Sequence, residues 1–179
     1  MPVPYVALLR GINVGGKNIL PMKDLAALFV EAGCAEVRTY IQSGNVLFRA
    51  DPDVAEDAPE IVSAMILERF QIRSPIILRD LHSVETVIAG NPYLKEGVPP
   101  EEIGVLFLGS VPEVESVAKL DPARSAPDRF EVVGRDVYLH LATGFAKTKL
   151  TNDYFESRLR TPSTARNWRT VLKLREMLG

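Results

Sequence analysis

The sequence predicts an α+β fold, and three observations predict it. The order strand–helix–strand–strand–helix can be read twice along the 179 residues, at an interval of about 95–100 positions. Turn residues, Gln42-Ser43-Gly44 and Gly134-Arg135, join strand-like runs in each half, which calls for antiparallel pairing. At 46% apolar and 25% charged residues, the chain can bury a core. The halves share this order without convincing residue identity. The expectation is therefore two ferredoxin-like βαββα halves in a pseudo-repeat plus a C-terminal amphipathic helix. The first half spans 1–80, a helical and loop segment 81–100 connects, and 101–179 is the second half with that helix.

Each element has a local reason. Residues 4–10 contain the apolar run Val6-Ala7-Leu8-Leu9, a strand interior to its sheet. Residues 21–32 place Leu25, Leu28, Phe29 and Ala32 on one helical face, with Pro21 as first helical residue and Gly33 as the stop. Val37–Ile41 and Asn45–Arg49 are strand-like around the Gln42-Ser43-Gly44 bend. Residues 57–70 predict a helix with Ile61, Ala64, Met65 and Glu68 at helical spacing, and Pro75–Leu78 a short apolar strand. In the second half, Ile103–Leu108 is a buried strand. Pro112–Leu120 is a short helix with Val114, Val117 and Ala118 inward. Phe130–Val133 and Asp136–Leu141 form a hairpin, and 152–159 a helix capped by Thr151 or Asn152.

The last helix is expected over 163–178, capped by Ser163 or Thr164. On its wheel Trp168, Val171, Leu174 and Leu178 face the core, and Arg166, Arg169, Thr170 and Lys173 share the opposite face. Asn167 falls on the apolar side, where an amide needs a specific partner.

The segment after the first strand, Arg10-Gly11-Ile12-Asn13-Val14-Gly15-Gly16-Lys17-Asn18, carries the chemistry. Its glycines permit φ > 0 and close backbone approach to an anion, while Arg10 and Lys17 supply charge. Gly11, Gly16 and Lys17 satisfy G-x-x-x-x-G-K, but Asn18 stands where a magnesium-binding Ser or Thr belongs. Pro21 also lies too deep for a helix that would begin at the loop, so a nucleotide P-loop is disfavoured.

Other classes are weakened by what the chain contains. Cys34 is the lone cysteine and reads as a small buried residue, so no disulfide framework or thiolate metal cluster is expected. His82 and His140 stand far apart, without ligand-spaced partners, and His140 reads as a hydrogen-bonded residue rather than a base. No apolar run approaches the ~20 residues of a membrane span and no signal peptide is read, so the expectation is a cytoplasmic protein without a membrane partner. The formal charge of −2 conceals an asymmetry. Residues 51–102 hold eleven acidic and four basic side chains, whereas 145–179 hold eight basic and three acidic.

Three segments together, Arg10–Gly16, Tyr40–Val46 and Thr164–Trp168 with Thr170-Val171 and Lys173-Leu174, resemble the bacterial family catalogued as domain of unknown function 1697. The resemblance runs from end to end, with one departure at Ala165, where that family more often has Thr. It implies a small cytosolic α+β protein and brings no established activity.

The recurrent positions are glycines, amides, a hydroxyl and cations, not the titratable groups that acid–base or nucleophilic catalysis needs. Ser43 lies outside any G-x-S-x-G elbow and suits a turn. The favoured reading is a binding module for a phosphate-bearing ligand. Its contacts are Arg10, Asn13, Gly15, Gly16, Lys17, Gln42, Ser43, Asn45, Lys149, Arg166 and Asn167, with Lys147 and Arg169 adding charge. No catalytic residue, metal or cofactor is assigned, and the oligomeric state is left open. A small molecule is favoured over nucleic acid, because the sheet lacks the aromatic pattern of RNA-binding ferredoxin-like folds. One alternative is an enzyme stabilising charge on a phosphorylated metabolite through Arg and Lys. The other makes the motifs purely structural, a seam between the halves.

Overall fold

A computed structural model describes residues 1–179. It is a mixed α+β structure that divides into two compact units, Met1–Glu85 with Leu174–Gly179, and Thr86–Lys173. Each unit is built on one four-stranded antiparallel sheet. No helix is long and apolar enough to cross a membrane.

The first unit runs β1 (Val3–Leu9), α1 (Met22–Glu31), β2 (Ala35–Tyr40), β3 (Asn45–Ala50), α2 (Pro52–Phe70) and β4 (Ile76–Asp80), which passes without a loop into α3 (Leu81–Ala89). The strand order is β2-β3-β1-β4, so β1 is interior, as its apolar run predicts. Strand alternation sends Ala7 and Leu9 of β1 and Val46 and Phe48 of β3 toward one core. Leu25, Leu28 and Phe29 of α1 fill it, with Ala55, Ala58, Val62 and Ile66 of α2. Pro21 precedes α1 instead of opening it. The α2 face also differs from expectation: Ile61 is exposed, as are Ala64 and Glu68. The helix begins at Pro52, and small Ala55 and Ala58, which give little apolar signal, set the buried row. In β2 the register shifts between Ala35 and Arg38, with Glu36 at φ 50°.

The second unit opens with the rest of α3 and the short α4 (Pro92–Lys95). It then runs β5 (Ile103–Leu108), α5 (Val114–Ala118), β6 (Arg129–Val133), β7 (Asp136–His140), α6 (Asn152–Leu159) and β8 (Ser163–Asn167), which leads directly into α7 (Trp168–Leu178). The order is β6-β7-β5-β8. Leu106, Leu108, Val137 and Leu139 pack with Leu150, Tyr154, Phe155 and Leu159. Gly134, at φ 59°, makes the expected two-residue turn between β6 and β7. Val114 is 84% exposed, so α5 turns only Val117 toward the core.

The principal correction falls on 163–178. Ser163–Asn167 is not helical. It pairs with β5, from Leu108↔Ser163 to Gly104↔Asn167, and the helix starts at Trp168. The open edge of β5 offers these residues a full ladder of backbone bonds, which outweighs a weak helical pattern. Arg166 therefore leaves the exposed row with Arg169 and is buried, as is Thr170. Asn167 caps α7, its Oδ1 accepting from Thr170 N at 2.9 Å. Trp168, Val171, Leu174 and Leu178 are buried as expected.

Candidate functional site

The glycine-rich segment of the first unit folds into a miniature hairpin. Val14 bridges Lys17, whose N–H donates to Val14 O at 3.0 Å, and Gly15 and Gly16 have φ of 58° and 73°. Positive φ at both central positions is what a two-residue turn of this hand requires. Asn13, itself at φ 53°, pins the base: its Nδ2 donates to Leu20 O at 2.9 Å and to Gln42 O at 3.0 Å, and its Oδ1 accepts from Leu20 N at 2.8 Å. Asn18 Nδ2 donates to Gly11 O at 2.8 Å. The chain thus turns back on itself before α1, unlike a phosphate-cradling loop that runs into its helix.

The bend between β2 and β3 is held the same way. The Asn45 side chain is fully buried and donates to Tyr40 O and Ser43 Oγ, both at 3.0 Å. Gly44 carries φ 84°, and its carbonyl accepts from Leu9 N at 2.8 Å. Ile41 has φ 48°, a strained setting for a β-branched residue. Arg10 is tied by its backbone to Pro75 O and Ser74 Oγ, and its side chain is half-buried. Gly15, Gly16 and Lys17 stand exposed at the tip, flanked by exposed Val14, Ile19 and Ile41.

In the second unit a buried carboxylate organises a basic loop. Asp128 accepts from Thr143 N at 2.9 Å, Thr143 Oγ1 at 2.6 Å and Ser125 Oγ at 2.9 Å. Burial alone would raise its pKa, but bonds from Thr143, Thr148 and Ser125 outweigh that and hold it below the usual carboxylate value. Ser125 Oγ also accepts from Lys149 N, and Thr148 Oγ1 from Leu150 N. On this frame Lys147 and Lys149 are exposed. Arg124, exposed too, donates from Nε to Lys149 O and lies 4.2 Å over the Tyr154 ring, with Arg158 at 5.7 Å from the same ring. None of these four cations makes an ion pair. Phe145, 43% exposed, rests on bare backbone: a Cβ on Gly104 would stand 2.9 Å from its Cζ.

The sequence-derived residues divide accordingly. Asn13 meets the Gln42 carbonyl, Ser43 meets Asn45, and Gly15, Gly16 and Lys17 form the tip. Lys149 joins Arg124. Arg166 bonds from Nη1 to Thr164 Oγ1 and Ala165 O, and burial pushes its pKa down to about 10. Arg124 and the Asp128 cluster carry no signal of their own in the sequence, since they lie on separate segments, and Arg158 is marked only by the basic bias of 145–179.

Cys34 is buried and His140 is hydrogen-bonded. Burial pushes the Cys34 thiol up to about 11, away from thiolate. His140 Nδ1 accepts from Arg129 at 3.1 Å, so a neutral ring carries its hydrogen on Nε2, which faces Glu102 Oε2 at 2.9 Å. No group of three or more His, Cys, Asp or Glu side chains is arranged to hold a metal ion.

Compared with known proteins, the chain has no match among the curated ones. A solved structure similar to it is that of the conserved bacterial protein SP0830 from Streptococcus pneumoniae, with a TM-score of 0.76 and 23% identity over 100% of both chains. That likeness concerns the fold. The family described as "Protein of unknown function (DUF1697)" matches residues 3–138, and the chain belongs to it.

Proposed function

We propose that this protein is a binding module for a phosphate-bearing ligand and that the basic loop of the second unit is its contact surface. The observation that carries this reading is the pair Lys147 and Lys149 on the loop fixed by Asp128, with Arg124 in the preceding turn and Arg158 on α6, all four exposed and without carboxylate partners. Unpaired cations on an ordered frame attract anions without first giving up an internal ion pair. In a chain whose formal charge is −2, the local positive field marks this surface.

In the first unit's own loop the anion-binding reading is kept, separately, for the exposed tip alone, Gly15, Gly16 and Lys17. Asn13, Asn18 and Asn45 favour the structural reading for themselves, because their side chains fasten backbone. We further read each unit as a ferredoxin-like fold and the chain as that fold repeated. The matching orders β2-β3-β1-β4 and β6-β7-β5-β8 support this, as do the registers Val6↔Arg79 and Val105↔Arg166. A cytoplasmic setting suits the single unpaired thiol of Cys34.

The test is thermal unfolding with and without inorganic tripolyphosphate at low and high salt. Binding to the folded state raises the Tm, and added salt shrinks the rise. Replacing Lys147 and Lys149 with Met is expected to abolish the rise while the unliganded Tm stays within a degree or two. The same rise in the double variant, or none in the wild type, sinks the reading.

A further inference from the structure

We infer that the ligand of the basic loop is a single-stranded nucleic acid, a deepening that rests on the anion-binding reading above. The cations say what kind of anion fits. Lys147, Lys149, Arg124 and Arg158 all stand in solvent, where a single ion pair contributes little. Such groups gain affinity from repeated phosphates, each contact releasing counterions, so an extended phosphate chain suits them better than one phosphate group.

The aromatic groups say what that chain carries. Phe145 lies two residues before Lys147, with its ring on the Gly104 backbone and 43% of the residue exposed. Phe145 therefore shares the loop of Lys147 and Lys149, and an exposed aromatic residue on a cationic loop is what stacking of successive bases requires, whatever the base sequence. Arg124, one of the four cations, is held in place by its guanidinium lying over the buried Tyr154 ring. The loop is ordered in advance, since Thr143, Gly144, Thr148, Lys149 and Leu150 all commit their N–H groups to internal acceptors. The surface is formed by loops and the α6 helix and not by a sheet face, so the missing sheet-aromatic pattern does not count against it.

The experiment uses the full chain and four probes: a fifteen-nucleotide thymidine oligonucleotide, its uridine counterpart, the thymidine strand annealed to its complement, and tripolyphosphate. Titration across salt should give a slope of log K against log salt near −3 for the single strands, from about 0.7 per phosphate contact over four cations. Phe145→Leu keeps an apolar group on Gly104 but removes the π face. It should weaken both single strands by about tenfold or more and leave tripolyphosphate unchanged. Phe145→Trp should restore affinity, with its fluorescence quenched on binding, and circular dichroism checks that each variant is folded. If Phe145→Leu weakens no strand, or the duplex binds as tightly as the single strands, the nucleic-acid inference falls. Tripolyphosphate binding that still depends on Lys147 and Lys149 would then leave the anion reading standing, whereas its absence removes both.

Discussion

Gly44 and Leu9 touch backbone to backbone: a Cβ on Gly44 would stand 2.8 Å from the Cβ of Leu9, and Gly44 O accepts from Leu9 N at 2.8 Å. The contact sets how tightly the β2–β3 bend closes on the end of β1. Leu9 Cβ is anchored to its backbone and cannot swing aside. With φ at 84° as well, Gly44→Ala should cost about 2–4 kcal/mol in urea unfolding. Gly15→Ala meets nothing within 4 Å and carries only the strain of φ 58°, so it should cost about 1 kcal/mol. Equal costs at both positions would refute the packing account.

Asn13 replaces a turn's worth of backbone bonds with one amide. Asn13→Ala loses three hydrogen bonds to backbone and a weak one to Met22 Sδ, and puts at φ 53° a residue less tolerant of that region than Asn, and should destabilise by about 2–3 kcal/mol. Asn13→Gly relaxes the backbone and should recover about 1 kcal/mol of that, leaving the hydrogen-bond share as the difference.

Asp128 makes stability depend on acid. Its folded pKa lies below the unfolded value, so the ionised form is favoured by folding. Its contribution is complete above the ordinary aspartate value, about 3.9, and is lost as pH falls through the lower folded value. Asp128→Asn should therefore be less stable than the wild type at pH 7, by about 1–3 kcal/mol. The gap should narrow below about pH 4. A gap constant from pH 7 to pH 2 would show that ionisation plays no part.

Trp168 opens α7 and is 2% exposed. Trp168→Ala should cost about 3–5 kcal/mol, measured by denaturant titration followed by far-ultraviolet circular dichroism. A loss under about 1 kcal/mol would place the ring outside the core.

Much of the fold was legible because the strong signals were local. The apolar run of β1, the Gly134-Arg135 turn and the Thr151 cap each act within a few residues, and each stands where the sequence puts it. The strand β8 was not legible. Ser163–Asn167 has too little apolar alternation to announce a strand, and its pairing with β5 is settled by an edge 55 or more residues away. The basic cluster was half legible for the same reason. Lys147 and Lys149 lie in a visibly basic stretch, whereas Arg124 joins them through the Lys149 carbonyl, a bond between segments 25 residues apart. The amides of Asn13 and Asn45 stood out as chemistry because short polar side chains in a glycine-rich loop serve ligands and backbone equally well, and the sequence does not distinguish the two.

The register shift at Glu36 bears on how this chain behaves at high concentration. An outer strand with an unbroken row of N–H and C=O groups is a template on which another chain can build. In β2 the ladder slips between Ala35 and Arg38, so that rim offers no continuous row. β6 pairs regularly along all five of its residues and has no such interruption, and its outward guards are the charges of Arg129 and Glu131. Removing those two charges would leave β6 an unguarded rim open to pairing with another chain.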